Sequence, residues 1–451
     1  MSGLGLAMFV VAIVLMTTTG LPVYAVLLAV ATIFAAIGVA GGAFDVGLLG
    51  ALPARIVGLL EHDLLQALPL YAFIGALLNR LPLAGLMHAG GERLFARSPA
   101  SAQLSALGVG ALLAPMNGSV GASLHMLARS VAPALAARKV APAEAAATIC
   151  VASTLGIVIP PSLVLLLLGD AMLTAHTEAM NFTHAAVRIV NTQDVLRASI
   201  GPGLAVLGTA LAMAAWRGRG RPRSALAPLG RGEGALALIA ALVIALLLGA
   251  VAVGRLYAVE AAATGGVLLL AGGLASGHVD RALLRAVVGD AMVLTGLLMA
   301  LLVGATTFSL VLRGLGTDAL IAHALLALSA EPRAMLGAVL AGMVACAFVL
   351  DAFEMIFLVV PIVMPPVLSV VPDAAWVAAL TLLVLQLGFL LPPLGYAVVM
   401  SRAALRTAPP LPALARALAP QLAAQMLLIV VLLAWPGLTR LGRDGPESAV
   451  A

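Results

Sequence analysis

Long apolar runs follow one another along this chain with little polar sequence between them. Runs near 4–19, 22–42, 64–80, 142–168, 196–216, 234–254, 257–276, 287–312, 375–400 and 416–436 each approach the roughly 20 apolar residues that a bilayer-crossing helix needs. Two further apolar segments, 104–133 and 334–366, are interrupted near their middles. The first carries APMNGSVGAS (114–123), the second LDAFEM (350–355) followed by MPP (364–366). Each is too long for one helix and is broken by turn-forming residues. Each is expected to be a re-entrant hairpin that dips into the membrane and returns to the face it left. Irregular backbone at that depth is tolerated only where protein or a water-filled cavity surrounds it.

The interruptions recur at a fixed distance. Residues 155–162 read LGIVIPPS and residues 387–394 read LGFLLPPL, an offset of 387 − 155 = 232. Proline inside a helix removes a backbone donor and clashes with the preceding turn, and glycine loosens the backbone further. At the same offset, Gly118 and Ser119 fall opposite Leu350 and Asp351. Matched broken helices in two halves point to a transporter built from an inverted repeat. The expected fold is an all-α polytopic membrane protein with an inverted structural repeat, two re-entrant helical hairpins and two broken helices. Its division would be 1–63, N-terminal scaffold helices; 64–216, the first repeat with broken helix 142–168; and 217–286, an Arg-rich cytoplasmic linker with connecting scaffold helices. The second repeat, 287–400, would contain broken helix 375–400, and 401–451 would form a C-terminal helix and tail.

Composition and charge sharpen this picture. The chain is 63% hydrophobic and 10% charged, against about 25% charged in soluble domains. Its net charge of +5 is gathered in clusters between apolar runs, a pattern that orients a membrane protein and gives no sign of nucleic-acid binding. With both hairpins re-entrant, 16 of the 24 Lys and Arg residues share one face, among them Arg80, Arg97, Arg138, the arginines of the linker 217–231, Arg281 and Arg402. That face is therefore cytoplasmic. The polar stretch 170–194, with His176, Glu178, His184 and Asp194, is then expected to be an external loop. Residues 4–19 lack a basic start and run on into a second apolar stretch, so an uncleaved first helix is expected. Cys150 and Cys346, both in apolar runs, read as small buried hydrophobes.

Candidate chemistry gathers at the breaks. Unwound backbone at the membrane midplane frees N–H groups that attract anions and carbonyls that bind small hard cations. Asn117-Gly118-Ser119 adds an amide, a flexible backbone and a hydroxyl. Asp351 is an intramembrane carboxylate, which is costly and usually functional; the alternative is a solvated hairpin-tip residue with no ion. Glu354, one turn on, either shares a cation site with it, or one of the two stays protonated. Ser153, Thr154 and Ser162 border the first break and Gln386 the second; such residues more often bond backbone than ligand. His125 reads as a packed or interfacial histidine. Glu260, and His62 with Asp63, read as helix-start residues. The sequence contains no Walker loop, catalytic triad or His/Cys metal cluster pattern.

Taken together, LPLYAFIGALL (68–78), the Gly-Ser tip, TLGIVIPPSLVLLLLGD (154–170), TQDVLRASIGPGLAV (192–206), YAVEAAATGG (257–266), GATTFSLVLRGLG (304–316), LDAFEMIFLVVPIVMP (350–365) and LQLGFLLPPLGY (385–396) resemble the large DctM-like permease of the tripartite ATP-independent periplasmic (TRAP) transporters, within the ion transporter superfamily. The likeness runs over about residues 60–410. It implies a sodium-driven secondary transporter of the bacterial or archaeal inner membrane, moving by an elevator motion, with sodium as coupling ion and no other cofactor. It also implies a periplasmic substrate-binding protein that delivers a small carboxylate, and a separate small four-helix membrane subunit. Carried over residue by residue, the ion and substrate sites fall at Asn117, Gly118, Ser119, Thr154, Gly156, Pro160, Asp351, Gly388 and Pro392, with Asp351 and Ser119 as sodium ligands. The chain departs from the family pattern at Val120, at Phe353 and Glu354, and at Tyr396 and Ala397. Two other functions compete: a binding-protein-independent sodium/dicarboxylate symporter, and a membrane-embedded enzyme using Asp351 and Glu354 as paired carboxylates. The transporter reading makes the chain a non-enzyme.

Overall fold

Helices that are apolar all round are buried ones, and two such helices form the centre of this protein. In the computed structural model, which describes residues 2–61, 63–183, 189–219, 229–328, 331–405, 407–437 and 439, every residue of Ala374–Leu390 is buried. So is every residue of Pro142–Val158 from Ala146 onward. These two helices pack on each other. Both end at a Pro-Pro pair, Pro160-Pro161 and Pro392-Pro393, each joined by a cis peptide bond. The chain then resumes as Leu163–Thr183 and as Tyr396–Ala404. The expected broken helices are present, 142 + 232 = 374 at their starts.

The hairpins flank this pair. The first consists of Ser101–Leu113, a 3-10 turn Pro115–Asn117 and Val120–Ser130; the second of Pro332–Cys346 and a return arm running from Ala352 to Val370. A stretch of π-helix, Met355–Val359, interrupts that second return arm. At 13 residues the arm Ser101–Leu113 is about 20 Å long, too short for a bilayer core of about 30 Å. Its hairpin closes on itself. Arg138, just past the return, makes a two-bonded ion pair with Glu92, just before the entry, at 3.1 Å and 2.7 Å. Glu92 is buried and Arg138 nearly so. A charge pair so placed needs both partners, because either one alone would be stranded. Single cysteines near Arg97 and Arg138 should therefore be labelled from one side of the membrane only. Labelling from opposite sides would mean that this segment crosses.

Outside this body, Arg281–Gly314 packs on Val23–Ala40 and on Ala67–Arg80. Ala67–Arg80 turns by 69° into Leu83–Leu94, and Arg281–Gly314 is followed by Thr317–Leu328. Eight helices among the described residues are long and apolar enough to cross a membrane, or nine if the bent pair counts as one span. The chain is a polytopic helical membrane protein.

Some boundaries differ from those expected. Leu163–Thr183 is one helix, so His176 and Glu178 sit on it and not in an external loop. The helix survives its polar residues because they have partners: His176 Nδ1 accepts from Val190 N at 3.1 Å, and Glu178 pairs with Arg313. The helix expected at 287–312 extends over 34 residues, Arg281–Gly314, and is N-capped by Asp280, whose carboxylate accepts from Leu283 N. The two repeats also differ in the second piece of the broken helix, 21 residues in the first half and 9 in the second. Linker residues 220–228 lie outside the described residues, as do His62, His184, Arg188, Arg406, Arg440 and Arg443. Glu260 holds the start of its helix, accepting from Tyr257 N at 2.9 Å.

Candidate functional site

Each hairpin tip lies against the break of its own half, and glycine makes both contacts possible. A Cβ on Gly156, four residues before Pro160, would lie 2.5 Å from the Ala114 carbonyl oxygen of the first tip. A Cβ on Gly388, four residues before Pro392, would press on the Ala347 Cβ of the second. These contacts are closer than 3.0 Å, a distance that real Cβ atoms essentially never show. Gly75 admits the Asn117 backbone carbonyl in the same way. The Ala67–Arg80 helix therefore holds the first tip from its other side.

At that tip Asn117 is fully buried. Its Nδ2 donates only to the Met126 sulfur, at 3.6 Å, and its Oδ1 has no hydrogen-bond partner. A buried, unpaired amide oxygen costs free energy unless something cationic or protic meets it. Gly118 turns the chain with φ 68°, in the left-handed region that suits glycine. Ser119 then caps the return arm: its Oγ accepts from Ala122 N at 3.1 Å, and its carbonyl accepts from Ser123 Oγ at 3.0 Å.

Asp351 takes the same position in the second half. It is the N-cap of the return arm; its Oδ1 accepts from Glu354 N at 2.9 Å, and its own N–H donates to Glu354 Oε2 at 2.9 Å. Asp351 and Glu354 are thus joined in a reciprocal capping box. Glu354 is buried in that role. Ser119 and Asp351, 232 residues apart, are equivalent caps with different charge. A cavity of about 170 Å³ opens beside Asp351, lined also by Leu350, Gly388, Phe389, Leu394 and Tyr396. Tyr396 stacks edge-on against Phe389 at 5.7 Å, and its hydroxyl reaches Gly121 on the first hairpin. It therefore spans from one half's break to the other half's hairpin.

The remaining polar residues at the breaks bond mainly to backbone. Thr154 Oγ1 donates to Val151 O and Ser153 Oγ to Cys150 O. Ser162 caps Leu163–Thr183, accepting from Leu165 N at 3.1 Å. Gln386, the register equivalent of Thr154 (154 + 232), is fully buried and accepts from Gln425 Nε2 at 2.8 Å. Gln425 also donates to Leu383 O. That second bond fixes the orientation of both amides and leaves Gln386 Nε2 unpaired. Sequence reasoning misses Gln425, and it marks Tyr396 only as a departure from the family pattern after the second Pro-Pro pair. The signal for Gln425 was present, as glutamines 421 and 425 one turn apart in an otherwise apolar helix. His125, expected to be packed or interfacial, is exposed on a cavity of about 920 Å³ that also meets Arg80, Arg129 and Asp290. Cys150 and Cys346 are both free thiols, the former buried.

A family model described as "Tripartite ATP-independent periplasmic transporter, DctM component" matches residues 9–438. Among solved structures, the chain is similar to the YdaH transporter of Alcanivorax borkumensis, with a TM-score of 0.61 and 17% identity over 86% of this chain and 88% of that one. At that identity the likeness concerns the fold. No curated protein matches the chain significantly.

Proposed function

Because the chain belongs to the DctM component family of tripartite ATP-independent periplasmic transporters, we propose that it is the large membrane subunit of a sodium-gradient-driven importer of a small organic acid. In this reading a periplasmic binding protein delivers the acid, and a small four-helix subunit completes the static part. The observation that carries the proposal is the doubled arrangement of hairpin tip against helix break, with the unpaired Asn117 Oδ1 at one tip and the Asp351 carboxylate at the other. Oxygen donors beside unwound backbone are the chemistry that holds a small hard cation. Asn117, Gly118, Ser119, Thr154, Gly156 and Pro160 would supply or shape the first site. Asp351, Gly388 and Pro392 would do so for the second. The two hairpins and broken helices would move together as an elevator against the scaffold, in the inner membrane.

Ion binding and transport connect through the tips. A cation between tip and break would fasten each hairpin to its broken helix, so that the body moves as a unit only when loaded. The capping box ties Asp351 and Glu354 to each other and to the start of the return arm, which favours a carrier over a membrane-embedded enzyme that would use the two as paired catalytic carboxylates. In proteoliposomes, uptake should require an inward sodium gradient, the binding protein and the small subunit together. Uptake by this chain alone, still sodium-driven, would identify a binding-protein-independent symporter. Uptake indifferent to sodium would overturn the proposal.

A further inference from the structure

Two arginines stand at nearly equivalent places in the repeat: Arg80 at the end of Ala67–Arg80, and Arg313 near the end of Arg281–Gly314, where 80 + 232 = 312. Each lines a cavity built from equivalent parts. Around Arg80 these are the first hairpin's return arm and the residues after Tyr396–Ala404, enclosing about 920 Å³. Around Arg313 they are the second hairpin's return arm and Leu163–Thr183, which together with Thr317–Leu328 border about 510 Å³. By the charge distribution the larger cavity faces the cytoplasm and the smaller one the outside.

The arginines differ in what holds them. Arg80 pairs with Asp290 through Nε at 3.1 Å and Nη2 at 2.5 Å. Asp290 lies on Arg281–Gly314, which packs against Arg80's own helix. That pair stays within the scaffold. Arg313 is held instead by Glu178, through Nη1 to Oε1 and through Nη2 to Oε2 at 3.0 Å, and Nη2 also donates to Pro361 O at 3.5 Å. Glu178 lies on Leu163–Thr183, which packs on the second hairpin's return arm and on Ala374–Leu390. Pro361 is on that return arm itself. The outer arginine thus fastens the hairpin body to the scaffold, and the inner one does not. The fastened side has the smaller cavity.

We propose that the Arg313–Glu178 pair is an outer gate of the transport cycle, closed while the inner cavity is open and broken each time the hairpin body moves. This rests on the elevator reading above. A two-bonded arginine–carboxylate pair suits the task, since its geometry is specific. At its partial exposure its strength remains modest enough to break and re-form.

The test uses the full chain in proteoliposomes with Cys150 and Cys346 replaced by alanine. One reporter cysteine is placed in the outer cavity, Ser369→Cys, and one in the inner, Ala128→Cys. Labelling by an impermeant maleimide is timed from each side. Glu178→Gln, and separately Arg313→Gln, should speed outer labelling about two- to fivefold, the range expected from a pair of this kind, and slow inner labelling. The exchanged pair, Glu178→Arg with Arg313→Glu, should bring both rates back toward the original, which a merely packing role would not do. If sodium shifts the two reporters in opposite directions but both single variants leave the outer rate unchanged, the gate is refuted while the elevator stands. If neither reporter responds to sodium or to the variants, both ideas fall.

Discussion

Gly156→Ala should cut uptake by more than tenfold, while Gly388→Ala should be rescued by a second change, Ala347→Gly. Both glycines lie in helices, where alanine by itself would add about 1 kcal/mol of stability. Their sites oppose that gain differently. At Gly388 the new methyl meets the Cβ of Ala347, and the next Ala347 atoms are 3.6 Å away, so deleting that Cβ restores ordinary contact. At Gly156 the methyl meets the Ala114 carbonyl, with its carbon 2.6 Å away. No side-chain deletion can remove a carbonyl. The first hairpin must shift, and overpacking of this kind costs about 1–3 kcal/mol. Since 1.4 kcal/mol is a factor of about ten, a tip displaced from its break should lose its ion site before the fold fails. Uptake and thermal unfolding of both single variants and the double variant decide the matter. Normal uptake by Gly156→Ala would mean that tip and break need no close contact.

Asp351→Asn should leave the protein folded and raise the sodium concentration for half-maximal uptake about tenfold or more. Asparagine caps a helix as well as aspartate does, so the bond from Glu354 N survives and only the charge goes. The cost of a carboxylate at membrane depth, from about 3 to more than 10 kcal/mol, is sustainable if a cation offsets it there. Asp351→Ala removes cap and charge together and should lose about 1 kcal/mol of stability besides. Glu354→Gln keeps the acceptor for Asp351 N and should be milder. An unchanged sodium requirement in Asp351→Asn would leave Asp351 as a cap alone.

Much of this architecture was legible because proline, glycine and capping residues act on the backbone, where their effects are local. Pro160-Pro161 and Pro392-Pro393 mark the breaks, Gly118 the tip, and Ser119 and Asp351 the matching starts of the return arms. What stayed hidden depends on partners far along the chain. The stretch after Asp170 looked like a loop because nothing local reveals that Glu178 meets Arg313, 135 residues away. The spacing of Asp351 and Glu354 makes them neighbours, but their mutual capping needs the nonhelical backbone of Asp351. Gln425 is not legible locally because its importance lies in facing Gln386 across two helices. The unpaired oxygen of Asn117 is a property of its surroundings that no spacing encodes.

The long helix Arg281–Gly314 carries Asp290 toward one end and Arg313 at the other. Over 313 − 290 = 23 residues these are separated by about 35 Å along its axis. Both arginine pairs, one toward each end, are therefore suspended from a single rod. A bilayer core of about 30 Å fits between them with little to spare. The rod acts as a yardstick of the membrane: a thicker bilayer draws the two ends toward hydrocarbon, while a thinner one tilts the rod and moves both at once. Lipid chain length is thereby expected to act on both pairs together, through one helix.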